Sequence, residues 1–255
     1  MHFQQIRSAT IIINYAGKKF IVDPWLQKKG TIHPYESPDP TKNQTRNPIV
    51  ELPLPVEEII KNIDACIITH NHGDHFDKET AKMLPKNIQI FVQSEIDAGF
   101  VANLGFKNVN ILQENGSMFK DIKLIKTNGI HGETLEKAAG PVSGVVFNHN
   151  NEKTVYIAGD TVWCDVVKKT IQTYKPDIII LNACDARSKI HGRLIMNLND
   201  IYEVYKTTPN SRIIISHMEA VSHAFLTRAQ VRKFVNDQGI ESSVLIPDDG
   251  ESYVF

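Results

Sequence analysis

The chain has 255 residues, enough for one large α/β domain or two small ones. Its 28 Lys plus Arg against 29 Asp plus Glu leave a formal net charge of −1, which argues against a polyanionic partner such as nucleic acid. No apolar run approaches the ~18 residues of a membrane span, and Met1-His2-Phe3-Gln4-Gln5-Ile6-Arg7 lacks the pattern of a secretory leader, so a cytoplasmic location is expected.

In chain order, Thr10–Tyr15 and Lys18–Asp23 read as β-branched strands joined across Ala16-Gly17, the second ended by Asp23-Pro24-Trp25. Residues 31–55 are polar and punctuated by proline, too long for a passive connector, and read as either an active-site flap or a disordered stretch. Asp64–Thr69 is a buried strand, Asp77–Leu84 a helix capped by Asp77, Ile88–Val92 a strand, and Ser94–Leu104 a helix ended by Gly105. Asp121–Thr127, Val142–Phe147 and Thr154–Ala158 are strands, the last two joined through His149-Asn150-Asn151. The last third alternates: helix Val162–Tyr174, strand Asp177–Asn182, helix Asn199–Lys206, strand Arg212–Ser216 and helix Thr227–Gln238. The last of these opens on the capping box Thr227-Arg228-Ala229-Gln230. Strands mixed with helices along the whole length favour a single layered α/β domain over residues 1–255.

The segment His70-Asn71-His72-Gly73-Asp74-His75 concentrates the chemistry, at the junction of a buried strand and a helix start. Imidazoles are costly to desolvate and pack poorly, so three so close together call for a purpose. In an extended chain His70 and His72 project to the same side and can reach one cation. Gly73 then permits a turn that lets Asp74 and His75 face a second. Neutral imidazoles with a carboxylate suit Zn²⁺, Mn²⁺ or Fe²⁺ rather than Ca²⁺ or Mg²⁺.

This His-x-His-x-Asp-His pattern resembles the signature of the metallo-β-lactamase superfamily. Asn128-Gly129-Ile130-His131, Ala158-Gly159-Asp160-Thr161 and Ser216-His217-Met218-Glu219 each follow a strand, in the order in which that family places a further His, Asp and His. Within it, Asp23-Pro24-Trp25-Leu26, Gly159-Asp160-Thr161-Val162-Trp163 and His217-Met218-Glu219-Ala220 are similar to the ascorbate-6-phosphate lactonase-like branch. The resemblance implies an α/β fold, an αββα four-layer sandwich with its site at one edge of the two sheets. It implies two divalent transition metal ions, Zn or Mn or Fe, one on His70, His72 and His131 and the other on Asp74, His75 and His217, with Asp160 bridging.

Two cations sharing a carboxylate bring the pKa of a water between them to about 7. The resulting hydroxide attacks a small ester, lactone or phosphorylated metabolite, with Asp74 or Asp160 taking the proton. A phosphodiesterase or nuclease, and a metal-binding sensor without turnover, are the rival readings. A flavodiiron oxidoreductase is disfavoured by His, not Glu, at position 72. His223, Arg46 and Tyr35 are the candidates for contact with a small-molecule substrate, with His33 and His191 behind them. Asp23 either orients the metal loop or is a turn residue before Pro24. Asp160 can also cap the helix expected from Val162. His149 is expected in solvent. Cys66, Cys164 and Cys184 are expected to pack, with Cys164 nearest the site, and Trp25 and Trp163 to sit in the core. The sequence leaves homo-oligomerisation open.

Overall fold

The β-branched runs form two sheets in a computed structural model that describes residues 1–255. The chain lays down β1 (His2–Arg7), β2 (Thr10–Tyr15), β3 (Lys18–Val22), β4 (Ala65–Ile67), β5 (Gln89–Val92) and β6 (Asn108–Ile111) in the first sheet. It then crosses to the second with β7 (Ser117–Phe119), β8 (Ile122–Asn128), β9 (Ser143–Asn148), β10 (Val155–Ile157) and β11 (Ile178–Asn182). A separate short hairpin, β12 (Arg187–Ser188) with β13 (Gly192–Arg193), precedes β14 (Arg212–Ser216) and β15 (Val244–Leu245) of the second sheet. The chain ends on β16 (Ser252–Val254), which pairs with β1 at the edge of the first sheet. Strands β3 to β6 are mutually parallel, as are β10, β11, β14 and β15.

The run Ile178-Ile179-Ile180-Leu181 shows how the layers arise. A strand covered on both faces needs apolar residues at every position, not at alternate ones. Ile178 and Ile180 point between the sheets, where they meet Phe20, Ile67 and Phe147. Ile179 and Leu181 point outward to helices α4 (Asp165–Tyr174), α5 (Leu198–Thr207) and α6 (Arg228–Asp237), through Val167, Val204 and Val231. On the far side Cys66, Ile68 and Ile90 meet Ala81 and Val101 of α2 (Lys78–Met83) and α3 (Glu95–Asn103). The α/β four-layer sandwich expected from the sequence is the observed fold. No helix is long and apolar enough to cross a membrane.

Several expectations shift. Residues 31–55 form an ordered strap with a 3₁₀ turn at Pro40–Gln44, followed by the short helix α1 (Val56–Ile59). Buried Asn47 ties the strap down by accepting the Ser222 N–H through Oδ1 (2.7 Å), and Ile49 N donates to Ala220 O (2.9 Å). The helix expected from Val162 starts only at Asp165, so Asp160 caps nothing. Residues 159–164 instead cross the sheet edge, with Val162 N donating to Ile130 O (2.9 Å).

Because parallel strands point the same way, their C-terminal ends collect along one edge. Asp23 follows β3, His70 follows β4, Asp160 follows β10 and His217 follows β14. The chain turns sharply there. Asp23 and His217 hold left-handed φ values of 45° and 63°, and a Cβ on Gly159 (φ 70°) would stand 2.5 Å from Ser143 O.

Truncation between the sheets and truncation in solvent should differ clearly. Ile180→Ala, at a fully buried site, should cost about 2–5 kcal/mol in chemical denaturation, and Ile96→Ala, 82% exposed, less than about 0.5 kcal/mol.

Candidate metal centre

The strand ends bring two sets of donors together. His70 Nε2 lies 3.0 Å from His72 Nδ1, and His131 Nε2 lies 3.2 Å from that same nitrogen. Three nitrogens held at ~2.0–2.1 Å by one tetrahedral cation stand roughly 3.3 Å apart, so the spacing suits a metal with one open position. Beside them His217 Nε2 is 3.5 Å from Asp74 Oδ2, and His75 Nε2 is 3.2 Å from Asp160 Oδ2. That one Asp160 oxygen is also 3.8 Å from His217 Nε2 and 3.9 Å from His131 Nε2, between the two sets. The groupings able to hold a cation are His70, His72 and His131; His70, His75 and Asp160; and Asp74, His75 and His217. His75 Nε2 and His217 Nε2 are buried and face only these carboxylates, without a well-formed hydrogen bond, a condition that a cation would relieve.

The outward-facing atoms of these side chains are fixed from behind. Asp23 Oδ1 accepts Thr69 N–H (2.7 Å), its Oδ2 accepts the Thr69 hydroxyl (2.7 Å), and Oδ2 lies 2.9 Å from His75 Nδ1. The Thr69 hydroxyl in turn lies 3.1 Å from His70 Nδ1. Asp23 thus stands in the turn before Pro24 and also contacts both Thr69 and His75. His131 Nδ1 donates to Leu194 O (3.1 Å), which leaves the Nε2 lone pair facing the cluster. Asn182 Nδ2 donates to Asp160 Oδ1 (2.7 Å), and His217 Nδ1 has Ser8 Oγ at 3.3 Å and Cys184 Sγ at 3.8 Å. Thr69, Ser8 and Asn182 were not singled out from the sequence, and Cys184 was expected only to pack. Cys184, not Cys164, is the cysteine that touches the cluster.

Charge at the site is finely divided. Burial holds His70 well below the ordinary imidazole range and pulls His131 down to about 4, outweighing Asp160. Burial pushes Asp74 and Asp160 the other way, but the facing imidazoles win and keep both carboxyls below their ordinary value. His75 is raised to about 10 and His217 is raised well above its usual value. Burial opposes both shifts, and the pull of Asp160, joined by Asp23 or Asp74, overcomes it. Buried carboxylates here call for positive charge, which divalent cations supply.

The cluster forms the floor of a cavity of about 300 Å³. Its walls include Tyr35, Ala186, Ile190, His191, Leu194 and His223, and no Lys or Arg lines it. Burial pulls His223 down to about 4, and burial with the Asp74 charge raises the Tyr35 phenol. Arg46 departs from expectation. It is exposed and pinned to its own strap, donating to Gly30 O and Thr31 O (both 2.7 Å), with His33 beside it. His149 is also not in solvent, being 14% exposed, against Tyr15 and hydrogen-bonded to Asp121. Trp25 is fully buried and Trp163 packs partly on the core.

A family model described as a beta-lactamase superfamily domain matches residues 19–218. The UPF0173 protein YddR of Bacillus subtilis (strain 168) is 46% identical over 257 residues, spanning 100% of both chains. The chain belongs to the UPF0173 family of the metallo-β-lactamase superfamily. A UPF0173 metal-dependent hydrolase of Korarchaeum cryptofilum (strain OPF8) is 24% identical, across 92% of this chain and 91% of its own. Among solved structures, an isothiocyanate hydrolase from Delia radicum gut bacteria superposes with a TM-score of 0.94 at 40% identity, covering 100% of this chain and 99% of that one. A possible metal-dependent hydrolase from Veillonella parvula DSM 2008 superposes at 0.95 with 35% identity and the same coverage. This UPF0173 protein is a metal-dependent hydrolase.

Replacing Asp23 by Asn keeps an acceptor for Thr69 and tolerates the left-handed φ, but removes the charge behind His75. Metal affinity, read by competition with a chromophoric chelator, should fall about 10–100-fold; unchanged affinity would show that Asp23 does not orient the cluster.

Proposed function

We propose that this protein is a dinuclear metal-dependent hydrolase of small, uncharged molecules with an electrophilic carbon, namely isothiocyanates, esters or lactones. The observation that carries this reading is the position of Asp160 Oδ2, between the two donor sets, on the floor of a cavity without Lys or Arg. One ion is assigned to His70, His72 and His131, the other to Asp74, His75 and His217, with Asp160 shared and Zn²⁺, Mn²⁺ or Fe²⁺ as the fitting metals. Such a pair of ions, when bound, supplies Lewis acidity and a water acidic enough to ionise near neutral pH.

The protein's own groups do the rest. Asp160 and Asp74 accept a proton from the attacking water and return it to the leaving nitrogen or oxygen. For an isothiocyanate, water oxygen bonds to the central carbon, the carbon–nitrogen bond breaks, and both water protons end on nitrogen. The products are an amine and carbonyl sulfide. Leu194 and Ala186, with Ile190 at the exposed rim, receive the apolar part of the substrate.

Size and charge select among substrate classes. Recognition of a phosphate away from the reacting centre draws on Arg or Lys, and the wall has neither. The basic side chains Lys137, Arg187, Lys189 and Arg193 line an adjoining depression instead, so the cavity itself favours simple lactones and esters over substrates whose phosphate must sit inside it. The relative described as an isothiocyanate hydrolase supports the same class at 40% identity. The three cysteines are unpaired, which suits a reducing cytoplasm.

The test is a panel on metal-stripped protein reloaded with Zn²⁺ or Mn²⁺: benzyl isothiocyanate, phenyl acetate, γ-butyrolactone and bis(4-nitrophenyl) phosphate. Turnover of one or more carbon electrophiles is expected, abolished in a folded Asp160→Ala variant. Turnover of the phosphodiester alone would contradict the reading.

A further inference from the structure

We propose that Tyr35 and His223 act as paired hydrogen-bond donors that hold the substrate heteroatom on which negative charge gathers as its carbon is attacked. The proposal rests on the reading of the site as a hydrolase of carbon electrophiles. Both residues line the cavity, on different segments of the chain, with ring centroids 5.0 Å apart and planes at 74°. His223 Nδ1 is buried without a protein partner, the Tyr35 hydroxyl is buried with only the Asp74 carboxylate beside it and no well-formed hydrogen bond, and His223 as a whole is only 6% exposed. Unpartnered buried polar atoms also occur in the core, at Tyr15, Tyr156 and Trp25, but Tyr35 and His223 stand side by side at one cavity, where a single ligand atom can meet both.

The segment that carries His223 is held firmly. Ser222 N–H donates to Asn47 Oδ1 (2.7 Å), Arg187 N–H to His223 O (3.1 Å) and the Lys42 ammonium to Ala224 O (2.7 Å). Lys42 and Arg187 each also stand 4.9 Å from the centre of the Phe225 ring. Tyr35 reaches over Gly73, where a Cβ would already be 3.4 Å from its hydroxyl, so it overlies the loop between His72 and Asp74. A fixed donor needs no reorganisation when charge develops, and its effect falls on the transition state more than on substrate binding. Each group donates a hydrogen bond and keeps its proton.

The test compares zinc-loaded wild type with Tyr35→Phe, His223→Leu and His223→Gln, the last retaining an N–H donor. With phenyl acetate or benzyl isothiocyanate, Tyr35→Phe and His223→Leu should each lower kcat about 10²-fold with little change in KM, and His223→Gln should recover part of the loss. Zinc content, measured on the same samples, should match wild type. Loss of zinc in step with activity would overturn the proposal, because the pair would then be holding Asp74 rather than substrate. Unchanged kcat, or His223→Gln no better than His223→Leu, would overturn it too. A readout free of turnover is calorimetric binding of thiocyanate ion, a linear probe with the same N–C–S atoms, which Tyr35→Phe and His223→Leu should weaken about tenfold. If wild type hydrolyses no carbon electrophile yet the variants bind thiocyanate more weakly, the substrate reading fails and the donor pair stands. Equal binding by all variants overturns the pair.

Discussion

The Asp23 carboxylate, buried where β3 ends, accepts both the amide and the hydroxyl of Thr69 and faces His75 Nδ1. Those contacts join the end of β3 to the loop that carries His70, His72, Asp74 and His75. A carboxylate in that position is expensive to bury, and its full set of partners is what makes it tolerable. The left-handed turn at Asp23 aims it back at the neighbouring strand, so strand pairing and site geometry rest on the same side chain.

The rest of the centre follows from strand direction. Parallel β3–β4 and parallel β10–β11–β14 deliver Asp23, His70, Asp160, Asn182 and His217 to one edge without long excursions of chain. The antiparallel β9 lets β8 run with β10, so His131 arrives at that edge as well. Behind this edge the inter-sheet core, built from Phe20, Ile67, Phe147, Ile180 and their neighbours, keeps the strand ends in register. In front of it, the strap over residues 31–55 adds Tyr35 and Glu36 to the cavity wall. Rigid sheets thus position the donors, and irregular segments shape what can reach them.

Much of this was legible in the sequence because it was local. The run from His70 to His75 announces itself by composition, and the apolar strand runs announce buried sheets. His131, Asp160 and His217 were readable as polar residues at strand ends, but their convergence is a property of topology and entered through resemblance. Ser8 and Asn182 carried no sequence signal, and Cys184 read only as a packing residue: each is an ordinary residue brought beside a reactive one from far along the chain. The helix expected from Val162 starts late because 159–164 is needed as an extended crossing held by Ile130, a tertiary demand that overrides helical patterning. Arg46 misled for a related reason, since a guanidinium in a loop finds backbone carbonyls of its own strap before it finds a ligand.

Whether two cations share Asp160 is the point on which the proposed chemistry turns. Diffraction data from crystals of the zinc- or manganese-loaded protein, collected on both sides of the metal absorption edge, address it directly. Two anomalous peaks are expected, one within bonding distance of His70, His72 and His131 and one of Asp74, His75 and His217, both touching the Asp160 carboxylate. A single peak, or peaks that leave Asp160 uncoordinated, would contradict a dinuclear centre and with it the proposed division of labour among these side chains.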